Sequence, residues 1–278
     1  MTLKTRFLIF FFALTLNSLS AQFSEMGVMV GASYYIGDLN QSHFKNSNLS
    51  TGLIYRYSFN PRIAFRVNLL LGKVEAYDSQ SKNINQVNRN LSFKSNFTEL
   101  GAMIEVNYYS YVTGDKKSRF TTYIVTGLSF FKMNPKAQYL DVWYELHPLK
   151  TEGEGLANGP GRYKLDSFAL PFGLGAKINL VGRLAISLEY SLRFTATDYL
   201  DDVSTTYYDN EVIRDQVGNV AAELADRRLN KETVQTGIDG NGTGMQRGDS
   251  SRKDWYGFAG VFVTVRLGKK PTTCARWN

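Results

Sequence analysis

The clearest alternation of apolar and other residues in the chain lies in two stretches, 167-SFALPFGLGAKINL-180 and 184-LAISLEYSLRF-194. The short turn 181-VGR-183 joins them. Successive residues of a strand face opposite sides, so an apolar residue at every second position gives a strand one continuous apolar face. The apolar positions are Phe168, Leu170, Phe172, Leu174, Ala176, Ile178 and Leu180, then Leu184, Ile186, Leu188, Tyr190, Leu192 and Phe194. This pattern predicts an antiparallel β-hairpin.

The same alternation predicts six more strands, although both faces of the first and of the fifth strand of the chain are mixed in character. They are Glu25–Ile36, Ser50–Phe59, Ile63–Glu75, Phe97–Tyr109, Phe120–Met133 and Trp255–Leu267. Each reaches the roughly 9–11 residues that a tilted strand needs to cross a bilayer. The sequence therefore predicts an all-β fold, an eight-stranded antiparallel transmembrane β-barrel.

Charged residues of these strands lie opposite the apolar face. They are Arg56, Arg66, Glu99, Glu105, Lys177, Glu189, Arg193 and Arg266. A cation that faces lipid at the bilayer midplane costs roughly 2–4 kcal/mol, so in a membrane barrel these residues face the lumen. An eight-stranded barrel leaves room inside for little more than side chains. We therefore expect opposite charges to neutralise one another as a structural plug rather than to form an ion path.

Aromatic residues and loop lengths favour the membrane barrel over a soluble sandwich, whose polar face would meet water. Aromatic pairs near strand ends are typical of interfacial girdles. The pairs are Tyr57 and Phe59, Tyr108 and Tyr109, Phe130 and Phe131, and Trp255 and Tyr256. The connections 60–62, 110–119 and 181–183 are short, and those at 134–166 and 195–254 are long. Short periplasmic turns and long outer loops are the bacterial pattern, which places both mature termini in the periplasm.

The two ends of the chain indicate export. Lys4 and Arg6 precede the apolar segment 7–16, and small residues lead to Ala21, which is typical of a secretory signal peptide. The predicted segments are a signal peptide at 1–21, an outer-membrane barrel at 22–268 and a periplasmic tail at 269–278. Cleavage removes two cations and lowers the net charge from +7 to +5. The remaining cations form no stripe with interleaved aromatics, so we expect no nucleic-acid partner.

Candidate catalytic and metal-binding residues are few. Two histidines and one cysteine cannot build an ordinary zinc site. His43 and His147 fall in predicted outer loops, and no motif links either to a nucleophile. The acidic cluster Asp198, Asp201 and Asp202 lacks the spacing of a calcium loop, so loop packing is the simpler role. We expect the protein to bind no cofactor and to have no enzymatic activity. The alternatives are a lipid-active barrel enzyme and a surface-binding barrel. Thr233–Asp254 is polar and holds five glycines, which predicts a mobile segment.

Several strings go beyond generic barrel chemistry. They are 35-YIGDLN-40, 89-RNLSF-93, 134-NPKA-137, 143-WYEL-146, 151-TEG-153, 171-PFGLG-175, 189-EY-190, 193-RFT-195, 197-TDYLDDVS-204, 247-RGD-249 and 254-DWY-256. Together they resemble the PorG family of Bacteroidota, the outer-membrane barrel component of the type IX secretion and gliding machinery. The most specific string holds Asp198, Tyr199, Asp201 and Asp202. The resemblance implies a structural role, docking a periplasmic ring built by the lipoprotein PorK and its soluble partner PorN.

Cys274 has no partner within the chain. An odd cysteine in the oxidising periplasm is either a free thiol or half of an intermolecular disulfide. Lys269, Lys270 and Arg276 stand near it in the sequence and would favour the thiolate. We expect a mixed disulfide with a periplasmic ring subunit, the alternative being an unpaired thiol.

Overall fold

The structure, a computed structural model, describes residues 23–230 and 242–268. Its strands are β1 (Phe23–Ile36), β2 (Asn48–Ser58), β3 (Ile63–Tyr77), β4 (Ser92–Asn107), β5 (Phe120–Tyr139), β6 (Val142–Glu145), β7 (Asp166–Asn179), β8 (Leu184–Thr195) and β9 (Trp255–Leu267). The short β6 pairs with the end of β5 beyond the barrel. The predicted signal peptide and tail lie outside the described residues.

The other eight strands close into a barrel. Each runs antiparallel to its neighbours in the order β1–β2–β3–β4–β5–β7–β8–β9. The first and last strands complete the circle, with Ser24 opposite Leu267 and Ile36 opposite Trp255. The predicted eight-stranded antiparallel barrel is confirmed. The prediction succeeds because period-two alternation is a direct consequence of strand geometry.

Three strands extend farther at the long-loop end than predicted. β3 continues to Tyr77, β4 begins at Ser92 and β5 continues to Tyr139. The pairing Tyr77–Ser92 and Lys94–Lys136 carries the sheet past the barrel rim. Buried side chains still alternate there, because loops cover the inner face of this extension. The predicted loop 134–166 therefore starts six residues too early.

An apolar belt surrounds the barrel. Outward side chains from all eight strands are exposed and hydrophobic, and they include Met26, Val28, Val30, Leu53, Leu69, Leu71, Leu100, Ile104, Ile124, Leu128, Leu170, Phe172, Leu174, Leu188, Val261, Val263 and Val265. A soluble monomer rarely exposes so large a contiguous apolar surface. With charges inside and apolar groups outside, this is the surface of a membrane-spanning barrel.

Aromatic residues border the belt at both ends. Phe59, Tyr108 and Tyr109 are exposed at the short-turn end, and Phe130, Phe168 and Trp255 are exposed at the long-loop end. The prediction was wrong for Phe131 and Tyr256, which are buried inside the barrel. Neighbouring residues of a strand face opposite sides, so within a strand only one of two adjacent aromatics can reach the lipid interface. Tyr108 and Tyr109 are both exposed because they follow the end of β4 at Asn107.

The long loops fold into a cap over one mouth of the barrel. The cap contains β6 and three short helices, α1 (Ile84–Arg89), α2 (Asn210–Gln216) and α3 (Asn219–Ala225). One hydrophobic core runs from the lumen into the cap, joining Phe97 and Phe131 of the barrel to Leu200 and Leu224 of the loops. In the described parts of the chain, no helix is long and apolar enough to cross a membrane.

Candidate functional site: the lumen and its two ends

A network of ion pairs fills the lumen near the short-turn end. Glu105 is its centre, with one carboxylate oxygen 3.0 Å from Arg56 Nε and 3.4 Å from Arg66 Nη1, and the other bound to Lys177 Nζ. Arg56 Nη1 also donates to Glu25 at 2.5 Å. All five side chains are buried. Since a buried charge needs a counter-charge and hydrogen bonds, strands on every side of the barrel are tied to this centre.

A second group of charges lies deeper in the lumen. Arg66 binds both oxygens of Glu189, at 2.6 and 2.9 Å, and the Tyr123 hydroxyl donates to the same carboxylate at 2.9 Å. Arg193 Nε lies 3.1 Å from Glu99, and its guanidinium lies 5.5 Å from the centroid of the Phe258 ring. A planar guanidinium both forms bidentate ion pairs and stacks on rings, which explains why arginine dominates this interior.

The structure places all eight predicted lumen charges inside the barrel. Seven of them form ion pairs, and Arg266 donates to the carbonyl of Thr113 at 2.7 Å. Sequence reasoning missed Glu25, because both faces of β1 are mixed and its inward side was ambiguous. The pattern that could have found it is that Glu25 occupies a position alternate to the apolar residues Met26 and Val28, which face lipid.

A folded turn between β4 and β5 covers the opposite mouth, and we call residues 108–119 the lid. Thr113 at its tip donates to Glu25 on β1 and accepts from Arg266 on β9. These two strands lie across the barrel from β4 and β5. Gly114 meets the β7–β8 turn so closely that a Cβ would lie 2.3 Å from the Gly182 carbonyl oxygen. The lid therefore crosses the whole mouth.

Asn179, at the end of β7, holds the lid in place. Its amide nitrogen donates to the carbonyls of Val112, Asp115 and Ser118 at 2.9, 3.3 and 2.7 Å. Its amide oxygen accepts from the Tyr111 hydroxyl at 2.8 Å and from Gly114 N at 3.0 Å. One side chain thus satisfies five groups of a turn that has no regular secondary structure.

In the cap, carboxyl groups are buried mainly against neutral donors. The Tyr35 hydroxyl oxygen lies 2.5 Å from Asp201 Oδ2 and 2.7 Å from Asp254 Oδ1. A hydroxyl has one hydrogen to donate, so the second contact requires a proton held by one of the two carboxyls. Burial and the neighbouring carboxylate raise the pKa of Asp201, and burial likewise raises the pKa of Asp254.

The neighbouring part of the cap follows the same rule. Asp202 accepts from the hydroxyls of Thr151 and Tyr163, both at 2.5 Å, and burial raises its pKa to about 8. Asp198 accepts from the Ser204 hydroxyl at 2.7 Å, and burial raises its pKa to about 7. These carboxyls are therefore held largely by hydroxyl donors and tend towards the neutral form. Asp198, Asp201 and Asp202 are buried within the cap, and Tyr199 stacks on Tyr163 with the ring centroids 4.5 Å apart.

One buried ion pair joins the distant loops of the cap. Arg247 Nη1 lies 2.9 Å from Glu152 Oε1 and donates to the Asp202 carbonyl at 2.8 Å. Glu152 also accepts from the backbone nitrogens of Ser204 and Thr205, each at 2.9 Å. The prediction that 233–254 is mobile is therefore wrong for the described residues 242–254, because composition does not count buried partners. The rest of that segment lies outside the described residues.

The remaining candidate groups occupy separate places. His43 Nδ1 lies 3.1 and 2.9 Å from the hydroxyls of Tyr34 and Tyr190, and His147 Nε2 lies 3.0 Å from the Tyr163 carbonyl. Within residues 23–230 and 242–268, no group of three acidic, histidine or cysteine side chains could hold a metal ion. Cys274 lies outside the described residues. A cleft of 1210 Å³ opens on the flank of the cap, lined by residues from α1, from 36–41 and from 245–255.

Comparisons with known proteins find several barrels of low similarity. The chain is similar to Ail, the attachment invasion locus protein of Yersinia pestis, at 10% identity over 89% of this chain and 99% of Ail, with a TM-score of 0.41. It is similar to Neisserial surface protein A at 11% over 88% and 97%, with a TM-score of 0.43. For OprG of Pseudomonas aeruginosa the values are 7%, 90%, 99% and 0.39. No function passes to this chain at such values.

No curated protein matches the chain. Residues 4–225, most of the sequence, match the family described as "Domain of unknown function (DUF6089)". The matched residues include the barrel strands up to β8 and the cap as far as α3. The chain belongs to the DUF6089 family.

Proposed function

We propose that this protein is a structural and docking component of the type IX secretion machinery in the outer membrane of a Gram-negative bacterium. The observation that carries the proposal is a closed lumen. Buried ion pairs fill it, a folded cap covers one mouth and the lid covers the other. An interior of this kind favours an anchor over a channel. The sequence strings that resemble the PorG family support the specific assignment, and the resemblance names a periplasmic ring of PorK and PorN type as the partner.

The cap explains what several of these strings do. Five residues from five different strings meet in two adjoining buried groups. Tyr35 contacts Asp201 and Asp254, and Arg247 contacts Glu152 and the carbonyl of Asp202, the residue after Asp201. Contacts within the cap are thus a sufficient structural reason for these five residues to occur in the strings. In the proposed orientation the cap lies outside the cell, and the lid and both mature termini face the periplasm.

Affinity purification from detergent-solubilised outer membranes tests the proposal. We expect a tagged barrel to recover a periplasmic ring of PorK and PorN type. Recovery of the barrel alone would contradict the docking role. Cys274→Ser extends the test, because the predicted mixed disulfide requires a heavier species on non-reducing gels that this variant lacks. Identical migration of wild type and Cys274→Ser would contradict the mixed disulfide. The purification would then test non-covalent docking alone.

Cysteine labelling of intact cells tests the orientation. In a Cys274→Ser background, Ala157→Cys places a thiol on the exposed cap and Lys117→Cys places one on the exposed lid. We expect an impermeant thiol reagent to label the cap position and to leave the lid position unlabelled. The reverse result would invert the proposed topology. Ala157 is preferred over nearby Gly159, where a Cβ would lie 2.0 Å from the Gly153 carbonyl oxygen.

A surface-binding barrel is the second candidate, favoured by the cleft on the cap. Its lining combines amide side chains such as Asn85 and Gln86 with Arg252 and the rim aromatic Trp255, a mixture suited to a polar ligand. Lipid turnover that His147→Ala abolishes, without recovery of the ring, would contradict docking and favour a lipid-active enzyme.

A further inference from the structure

The exposed charges at the lid end of the barrel are all of one sign. The three short turns carry the exposed cations Arg62, Lys116, Lys117, Arg119 and Arg183. Among the described residues of these turns, 59–62, 108–119 and 180–183, no carboxylate is exposed, since the single acidic residue, Asp115, is only 9% exposed. In the sequence, Lys269 and Lys270 follow β9, which ends at this same mouth.

The cap end has no such bias. Its exposed charged residues include Asp141, Glu145, Asp166, Glu211 and Asp215 together with Lys82, Lys132, Arg162, Lys164, Arg252 and Lys253. The positive sign is therefore a property of the lid end and not of the whole surface. A one-signed surface steers and selects an oppositely charged partner.

Lid geometry separates a protein partner from membrane lipid. Lys116 and Lys117 follow Gly114, which touches the turn across the mouth, and precede Ser118, whose hydroxyl accepts from Val112 N at 3.1 Å. These two lysines thus belong to a segment that crosses the mouth. Aromatic girdles of membrane barrels lie at the level of the lipid headgroups, so we expect the headgroups to surround the barrel near the exposed Tyr108 and Tyr109. A partner that meets both lysines has to cover the mouth from the periplasm.

The lid is also fixed before any partner arrives. Asn179 satisfies five of its polar groups, and Arg119 Nε donates to the Lys116 carbonyl at 3.3 Å. A surface that is ordered in advance loses less conformational entropy on binding. This distinguishes the lid from a flexible basic tail, which would have to be ordered on contact.

We propose that the lid is a preformed docking platform for an acidic surface of a periplasmic protein that covers the barrel mouth. The inference rests on the proposed function, in which that protein is the ring. It adds the contact face on the barrel, the sign of charge on the partner and a dependence on salt. Electrostatic attraction between exposed groups weakens as the Debye length falls from about 10 Å at 0.1 M salt to about 3 Å at 1 M.

The test compares two charge reversals in the full-length barrel. Lys116→Glu with Lys117→Glu changes the lid, and Lys132→Glu with Lys164→Glu makes the same change in net charge at the cap end. Each immobilised variant is incubated with detergent-solubilised outer membranes, and the retained ring is quantified at low and high salt. A heat-dependent shift in electrophoretic mobility checks that each barrel is folded, and Lys116→Arg with Lys117→Arg should restore retention.

We expect the lid reversal to lower ring retention at low salt at least about tenfold, the equivalent of about 1.4 kcal/mol, and the cap reversal to leave it unchanged. Equal retention by the lid reversal and wild type would overturn the platform while leaving ring docking intact. Absence of ring from wild type would overturn both. Loss of co-purifying anionic phospholipid from the lid reversal, with the ring retained, would assign the cations to lipid and overturn the proposal.

Discussion

The lumen and the cap bury carboxyl groups in opposite ways. Glu105 in the lumen is surrounded by three cations, whereas Asp201 and Asp254 in the cap share the hydroxyl of Tyr35. The lumen thus pairs its carboxylates with cations, whereas the cap surrounds several carboxyls with hydroxyl groups and little counter-charge, which favours their protonated form. The same functional group, a buried carboxyl, is therefore stabilised by different partners in two regions of one molecule. The difference can be tested by neutralising a carboxyl in each.

Removing the charge of Glu105 should have the largest effect. Glu105→Gln leaves Arg56, Arg66 and Lys177 in the lumen without their shared counter-charge, and breaking a buried ion pair costs about 3–5 kcal/mol. Urea unfolding in phospholipid vesicles, followed by tryptophan fluorescence, measures this loss. Glu145→Gln is the matched control, because its pair with Lys136, at 3.0 Å, is partly exposed and should contribute about 0–1 kcal/mol. Equal losses in the free energy of unfolding of the two variants would contradict a stabilising role of the lumen ion pairs.

The lid should open when its anchor is removed. Asn179→Ala leaves several buried backbone groups without a partner, which costs about 1–3 kcal/mol. The fraction of time the lid is open then rises about 5- to 150-fold, and cleavage by trypsin after Lys116 and Lys117 should accelerate accordingly. Asn85→Ala, an exposed change in α1, should leave the rate unaltered. An unchanged rate in Asn179→Ala would mean that other contacts hold the lid.

The stability of the cap should fall as the pH rises from 5 to 8. Burial raises the pKa of Asp202 to about 8 and that of Asp198 to about 7, whereas an aspartate in the unfolded chain titrates near 4. Between these values the unfolded chain has already lost protons that the folded cap retains. Cap stability is therefore greatest below about pH 4 and falls as the pH rises, until the pKa values of the folded cap are passed.

Hydrogen exchange of cap peptides in lipid nanodiscs, corrected for intrinsic rates, measures this dependence between pH 5 and pH 8. Peptides from the barrel strands of the same sample serve as the internal control. Cap protection that rises with pH would contradict the assignment of protonated carboxyls.

Asp201→Asn should have the smallest effect. Its amide nitrogen can donate to the Tyr35 oxygen while the amide oxygen accepts from Val203 N, as the carboxylate does at 2.9 Å. Tyr35 then donates to Asp254. We expect a change in stability below about 1 kcal/mol at pH 5 and a weaker pH dependence, by the same exchange measurement.

The double variant Asp201→Asn with Asp254→Asn should lose more stability than both single variants together, because the Tyr35 hydrogen then loses its anionic acceptors. Additive losses would refute the shared proton.

The barrel could be predicted because each strand records its two environments at alternate residues. Leu170 and Leu174 meet lipid while Lys177 faces the lumen, and sequence parity alone separates them. The inward positions of Arg56, Arg66 and Glu189 follow in the same way. β1 was harder, since the inward face that holds Glu25 also holds Met29 and Tyr35. An apolar residue inside the lumen breaks the simple alternation.

The cap could not be predicted from local pattern. Asp201 meets Tyr35 across 166 residues of sequence, and Arg247 meets Glu152 across 95. Contacts of this range leave no period in the sequence, and polar, glycine-rich loops suggest mobility when their partners are unknown. The lid presents the same difficulty, because side chains of other strands hold it, above all Asn179 at the end of β7.

Single-channel recording in planar bilayers tests the sealed lumen most directly. The purified wild-type monomer, confirmed as folded by its heat-dependent electrophoretic mobility, should show no persistent conductance steps, because Glu105, Arg66 and Glu189 occupy the lumen between the cap and the lid. Stable large-conductance steps from the same monomeric preparation would mean an open lumen. That result would contradict the plug and, with it, the role of this barrel as a closed anchor.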